Sequence, residues 1–279
     1  MKVHLIGWNE NALNALKGLL FSKHKVVGVT VPSGYSVQSI QTLCSREGVN
    51  FSMAKNETEL MEAILATNPD VVVSASWPKI IHRKLLELPG LIFLNIHAAL
   101  LPKNRGVHPI NWAIIRGEEC TGVSVHIIEK GVDDGPIIVQ KKVKISEYDN
   151  ARTIRKKLTD LSGSIVVLAL DRLTKKNFVP TPQDLREATY APRRAPEDGK
   201  INWSLKTTDI RNLIRGAVYP YPGGFSQLRG GKVVKISNTF VPRKRGVVLF
   251  KYKKWFGVST LDGVVLIESN DLSVGDVLV

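Results

Sequence analysis

Cysteine is nearly absent. Only Cys44 and Cys120 occur in 279 residues, which leaves no material for a disulfide framework or a cysteine-rich metal site. No uninterrupted apolar run approaches the roughly 18 residues needed to cross a bilayer, so membrane insertion is not expected. The opening stretch MKVHLIGWNENALNALKGLL lacks the charged region, apolar core and small-residue cleavage site of a secretory leader. Lys2 with Val3–Ile6 reads instead as a first strand, and a cytoplasmic location is the expectation. Acidic residues are also in short supply: 25 Asp+Glu against 39 Lys+Arg leave a formal net charge of +14. That imbalance points to acidic partners, whether nucleic acid, nucleotide phosphates or polyglutamate-tailed cofactors. Residues 200–279 carry 13 basic against 5 acidic side chains, a net +8, and residues 1–199 the remaining +6. Internal repeats and low-complexity tracts are missing as well.

What is present is ordinary in amount. A hydrophobic content of 43% and a charged content of 23% suit a globular protein, and the length allows one large domain or a medium and a small one. Two are expected. Through about residue 175, short apolar runs (VHLIGW, VVGVTV, DVVVSAS, LIFLNI) alternate with amphipathic stretches such as ALNALKGLLFSK, SIQTLCSREGV, ETELMEAILATNP and IIHRKLLELPG. Strands alternating with helices of about ten residues imply an α/β domain with a mostly parallel, Rossmann-like sheet. GVSVHIIEKGVDDGPIIVQKKVKI then reads as two strands joined by a Gly/Asp-rich loop at 131–135, and TIRKKLTDLSGSIVVLALDRLTKK as an amphipathic helix. The catalytic-type domain is expected over 1–176. Residues 177–199 shift to proline and charge without periodicity and read as a linker. Residues 200–279, with a short helix around DIRNLIRGAV and the runs KVVKIS, GVVLFKY, FGVSTL and GVVLIES, read as a small β-rich, OB-like domain.

The chemistry concentrates in LNIHAALLPKNRG, residues 94–106. Alternate residues of a strand point to one side, so Asn95 and His97 present their polar heads together. Groups at the carboxyl end of such a strand lie where open α/β sheets carry their sites. The acidic loop Gly131-Val132-Asp133-Asp134-Gly135 supplies a carboxylate. A histidine beside a carboxylate is a workable base for an amine or water nucleophile, and an asparagine amide can donate to a carbonyl oxygen as it gains charge. Together these groups suit acyl transfer or amide hydrolysis. The plain alternative is that Asn95 and His97 merely close a strand end.

The ordered motifs N-I-H, L-L-P, N-R-G, P-I-N-W-A-I, T-G-V-S-V-H and G-V-D-D-G-P-I-I, spanning residues 94–138, resemble the folate-dependent formyltransferase family. The resemblance implies that Asn95, His97 and Asp133 are the catalytic trio, with N10-formyltetrahydrofolate as formyl donor to an amine and no metal. It implies donor contacts at Ser76, Trp77, Ile80 and Ile81 and at Val132 and Asp134, and acceptor contacts at Trp8, Asn9, Lys103, Arg105 and Tyr221. Two departures stand out: Ala98-Ala99 replaces the usual Pro-Ser, and Asp134 stands where Thr is common. A second carboxylate beside Asp133 can alter its titration.

Four branches compete for the acceptor. Lys103–Ile114 and the segment from Arg194 through E-D-G-K-I-N-W and I-R-G-A-V-Y-P-Y-P-G-G-F are similar to the branch that formylates nucleotide-linked amino sugars, the favoured reading, with a dTDP-linked 3- or 4-amino dideoxyhexose as substrate and pairing of two copies implied. There, Arg105 suits forked contacts with a diphosphate, and Tyr221 or Trp203 offers a face to a nucleobase. Methionyl-tRNA is the alternative, the one enzymatic reading that brings a nucleic acid partner. Its basic loop would fall near TVPSGYSVQSIQ, residues 30–41, which hold no Lys or Arg. A siderophore-type hydroxyornithine acceptor is third. Glycinamide ribonucleotide transformylases share D-D-G-P-I-I but lack a second domain. His108 and His126 read as packing or supporting residues, and Tyr221 equally as a turn aromatic. Arg243-Lys244-Arg245 and Lys251, Lys253 and Lys254 read as solvated hairpin faces or a phosphate patch. A nucleic-acid-binding module or an inactive regulator of the same fold are the readings outside enzymology.

Overall fold

A computed structural model describes residues 1–218, 220–227, 232–236, 248–252, 255–259, 264–268 and 273–274. Of the expected basic patch, Arg243, Lys244, Arg245, Lys253 and Lys254 lie outside these residues.

Strands β1 (Lys2–Gly7), β2 (Lys25–Pro32), β3 (Asn50–Ala54), β4 (Val71–Ala75) and β5 (Ile92–His97) alternate with helices α1 (Glu10–Leu20), α2 (Gln38–Glu47), α3 (Glu57–Thr67) and the single turn α4 (Arg83–Leu86). After the two-residue strand β6 (Arg105–Gly106) come α5 (Pro109–Ile115), β7 (Cys120–Ile127), β8 (Ile137–Lys144) and the long helix α6 (Ala151–Leu173). Seven of these strands form one sheet in the order β3-β2-β1-β4-β5-β7-β8. The first five are parallel, while β7 and β8 run antiparallel to their neighbours. Both faces are covered, as a parallel sheet requires. Val3, Leu5, Val71, Val73, Leu94 and Ile96 pack on the side of α1, α2, α5 and α6. Their alternates Ile6, Val72 and Phe93 pack on the side of α3 and α4. Each fully buried Val, Leu or Ile contributes about 1.5–3 kcal/mol, so this two-sided alternation fixes the register.

Helix starts follow their caps. Asn9, Asn56 and Asn150 accept backbone N–H groups at the starts of α1, α3 and α6, and Asn150 closes a capping box with Thr153. Where α1 crosses α6, Gly18 and Gly163 lie backbone to backbone, and a Cβ on either would overlap the other helix.

Residues 177–199 are structured. A bridge pairs Ile137 with Thr181, two short 3-10 turns follow, and β9 (Tyr190–Ala191) pairs in parallel with β6. Helix α7 (Thr207–Gly216) and the hairpin β10 (Gly224–Gln227) and β11 (Val233–Ile236) come next. The chain divides into two compact units, Met1–Ser237 and Asn238–Val279. In the second, β12 (Val248–Tyr252), β13 (Trp255–Ser259) and β14 (Val264–Glu268) form an antiparallel sheet, close to the runs that the sequence marks as strands. Among the described residues no helix is long and apolar enough to cross a membrane.

Candidate active site

Strand pairing assembles the site. β5 ends at His97, and the antiparallel β7 beside it sets His126 opposite Asn95 and Ser124 opposite His97. The chain leaving β7 turns back as the acidic loop, with Asp133 in the left-handed region at φ 50°. Small residues permit the turn: a Cβ at Gly131 would sit on the Asp134 carboxylate, and one at Gly135 would overlap the Ile127 carbonyl. Asp133 thereby reaches both strands. Its Oδ1 accepts from Asn95 Nδ2 at 3.1 Å and lies 3.4 Å from His126 Nε2. Oδ2 accepts the Gly106 N–H at 2.8 Å and lies 3.5 Å from His97 Nδ1. The structure thus brings Asn95 and His97, both expected from sequence, onto the same Asp133 carboxylate.

Ring protons follow from the partners. His97 Nε2 lies 2.9 Å from the Asn104 carbonyl, which can only accept, so Nε2 carries hydrogen and Nδ1 faces Asp133. His126 Nδ1 likewise donates to the Ile127 carbonyl at 2.7 Å, leaving Nε2 toward Asn95 and Asp133. Burial pushes the Asp133 carboxyl up, but the charge of His97, the hydrogen bond and charge of His126 and the Gly106 N–H outweigh it. The net effect holds the group well below the usual carboxylate range. The site therefore keeps a buried anion between two imidazoles.

A second tier fixes this arrangement. Asn104 is buried at φ 57°, and its amide donates to both Glu118 carboxylate oxygens at 2.9 and 3.1 Å and accepts from Arg116 Nη1 at 2.7 Å. Gln183 Nε2 donates to the carbonyls of Asp133 at 2.9 Å and Gly135 at 2.7 Å, and its Oε1 accepts from Arg105 Nη2 at 2.8 Å. Neither Asn104 nor Gln183 was legible as a site residue, because their contacts are made across long sequence separations. His126, expected as a packing or supporting residue, touches Asp133 and Asn95 directly.

The other expected residues occupy varied settings. Ser76 ends β4 at φ 63° with its Oγ accepting from Asn11 Nδ2 at 3.1 Å. Trp77 and Ile81 pack partly into the core on the α3 side, while Ile80 and Val132 are exposed. Asp134 Oδ1 is buried with no hydrogen-bond partner among the described residues. Trp8 meets Tyr35 with ring centroids 4.4 Å apart, and Asn9 serves as the cap of α1. Lys103 is exposed. Arg105 departs from expectation: it is 1% exposed and its guanidinium is held by Gln183, so it supports the acidic loop from within instead of facing a diphosphate. Tyr221 is half-buried, its hydroxyl accepting from Arg155 Nη2 at 2.6 Å and its ring edge-on to His108 at 5.2 Å. Burial lowers the His108 pKa, and the charges of Arg193, Arg194 and Arg155 lower it further. Positive charge from Arg193, Arg194 and Arg155 therefore reaches the His108 ring. Trp203 is exposed, with Nε1 donating to Ser226 Oγ at 2.8 Å. Among the described residues no cluster of His, Cys, Asp or Glu is built to hold a metal ion.

Comparison with known proteins points to one family. The formyl transferase family profile matches residues 10–170, and the formyl transferase C-terminal domain profile matches residues 194–275. The methionyl-tRNA formyltransferase of Thermodesulfovibrio yellowstonii is 37% identical over 213 residues, covering 76% of this chain and 68% of that protein. That of Caldanaerobacter subterraneus is 36% identical over 247 residues, 85% of this chain and 79% of that protein. Among solved structures, the sugar 3N-formyl transferase WlaRD superposes with a TM-score of 0.70 at 20% identity, covering 98% of this chain and 99% of that one. HypX from Aquifex aeolicus in complex with tetrahydrofolic acid superposes at 0.63 and 20% identity; 95% of this chain matches, spanning 43% of the HypX chain. These two structural likenesses concern the fold. With a family profile matched over more than half its length, the chain belongs to the formyl transferase family.

Proposed function

We propose that the chain moves the formyl group of N10-formyltetrahydrofolate onto the primary amine of a nucleotide-linked amino sugar. The contact of Asn95, His97 and Asp133 carries the chemical part of this reading. The folate supplies an activated formyl carbon when bound, and the residues present fit it: the buried, unpartnered Asp134 Oδ1 is an acceptor for the N–H groups of a pterin edge, and Ile80 and Val132 offer exposed apolar surface. Asn95 Nδ2–H donates to the formyl oxygen as the amine's nitrogen bonds to the carbon and negative charge collects there. Removing one such donor costs about 3–4 kcal/mol in comparable sites. In its neutral form His97 takes the amine's proton at Nδ1, since Nε2 is committed to Asn104, and Asp133 stabilises the imidazolium that results. The same proton serves the departing folate nitrogen when the tetrahedral carbon collapses.

The acceptor is argued from the surroundings. The positive charge that Arg155, Arg193 and Arg194 lay on His108 suits an anionic group such as a diphosphate. The turn between β2 and α2, residues 33–37, is five residues long without Lys or Arg, and Tyr35 in it is engaged by Trp8. Such a turn offers nothing basic to an RNA acceptor stem. Methionyl-tRNA is the second reading, and the comparisons weigh toward it, because relatives at 36–37% identity over most of the chain bear that name. Mass spectrometry of purified protein with N10-formyltetrahydrofolate and separate acceptors, namely dTDP- and UDP-linked amino sugars, hydroxyornithine and methionyl-tRNA, distinguishes the two. Formylation of a nucleotide sugar is expected, and formylation of methionyl-tRNA alone reverses the order.

A further inference from the structure

We propose that Gln183 is a positioning residue for Asp133, acting from the segment that joins the sheet domain to helix α7. Residue 183 falls between the two matched family profiles, 10–170 and 194–275, so neither assigns it. Its side-chain amide is fully used. The two hydrogens of Nε2 go to the carbonyls of Asp133 and Gly135, two residues apart on the acidic loop. The oxygen accepts both Nε and Nη2 of Arg105, at 3.2 and 2.8 Å. Arg105 is almost completely buried, and the N–H of the next residue, Gly106, holds the other end of Asp133 at Oδ2.

A closed circuit results. Gln183 fixes the Asp133 main chain, Gly106 fixes its carboxylate, and Arg105 ties the two supports together. Asp133 needs such support because it adopts a left-handed backbone, which a non-glycine residue holds only when its surroundings over-determine it. The Thr181–Ile137 pairing delivers Gln183 to the loop, with N–H to O distances of 2.8 Å in both directions. Catalytic geometry is steep in position, a displacement of about 1 Å costing on the order of 100-fold. A group that fixes the loop therefore sets the rate without touching the substrate.

The proposal rests on the formyl-transfer reading, and its test is built to fail separately. Gln183→Glu keeps size and still offers Arg105 an acceptor, now anionic, but has no hydrogen to give either loop carbonyl. In full-length protein labelled with 15N-histidine, the ring resonances of His97 and His126, which report their contact with Asp133, are expected to move in this variant, with no acceptor needed. With a working acceptor, kcat is expected to fall about tenfold or more while the acceptor KM stays within about threefold, since the expected loop displacement is a fraction of an ångström. Gln183→Asn keeps the amide but withdraws it by one carbon. It should show a smaller change in the same direction, and it stands in if Gln183→Glu does not fold. Unmoved ring resonances in a folded variant overturn the proposal, as does a kcat within twofold of the wild type.

Discussion

Asp133 keeps its charge where burial opposes charge, and that tension has measurable consequences. Two imidazoles, the Asn95 amide and the Gly106 N–H surround it. A carboxyl whose folded pKa lies below its unfolded value adds stability that is present above the unfolded value and is lost as pH falls toward the folded one. The window opens near pH 4 and extends downward, given the ordinary aspartate pKa of about 3.9. Wild type should therefore lose thermal stability relative to Asp133→Asn as pH falls from 5 to 3. A constant difference in Tm over that range would contradict the depressed carboxyl. Under conditions where both fold, His97→Ala and Asp133→Ala should each lower kcat by about 10²–10⁴, the span of general acid–base contributions, and steady-state kinetics with circular dichroism checks this. Asn95 and His97 were legible because their i, i+2 spacing on an apolar run fixes a shared direction. Arg105 was not: in sequence an arginine after Leu-Leu-Pro looks like an anion ligand, and only the fold shows it enclosed and bound to Gln183.

At the scale of elements, the site depends on one reversal of strand direction. A fully parallel continuation after β5 would carry the next strand across the sheet through a helix; the antiparallel β7 instead places His126 opposite Asn95 and returns its loop over both. The alternation of strands and helices was readable from apolar periodicity. The direction of β7 was not, because a short connection through α5 suits either sense, and residues 177–199 lacked periodicity because they make single pairings, not a repeated face. One face of the sheet is covered by α1 packed against α6 at Gly18 and Gly163, where a Cβ meets backbone that has no way to yield cheaply. Gly163→Val should destabilise by about 1–3 kcal/mol, the usual range for overpacking, read as a lower urea midpoint. Because Asn95, His97 and Asp133 sit on other elements, kcat per folded molecule should stay near wild type below the transition. A loss of turnover without a loss of stability would instead tie this helix crossing to the site.

On the scale of the whole molecule, charge was legible and its purpose was not. A net +14 with +8 of it in residues 200–279 serves a nucleotide diphosphate or an RNA equally well as a sign, but the two differ in how salt acts on them. A polyelectrolyte acceptor releases condensed counterions for every phosphate neutralised. Six such contacts on a duplex would cost about 10³-fold in affinity between 50 and 200 mM salt. A diphosphate has no condensed sheath, and its attraction to Arg155, Arg193 and Arg194 is screened over a Debye length of about 10 Å at 0.1 M. For the nucleotide-sugar reading, kcat/KM for the acceptor should fall less than about tenfold over that salt range, as expected for screening of a few partly exposed charges. Triple substitution of those arginines by Gln should remove most of that dependence. A log–log slope steeper than about −3, persisting in the triple variant, would locate the anion contacts elsewhere on the basic surface and favour an acceptor with many phosphates, because slope counts phosphates at about 0.7–0.9 each.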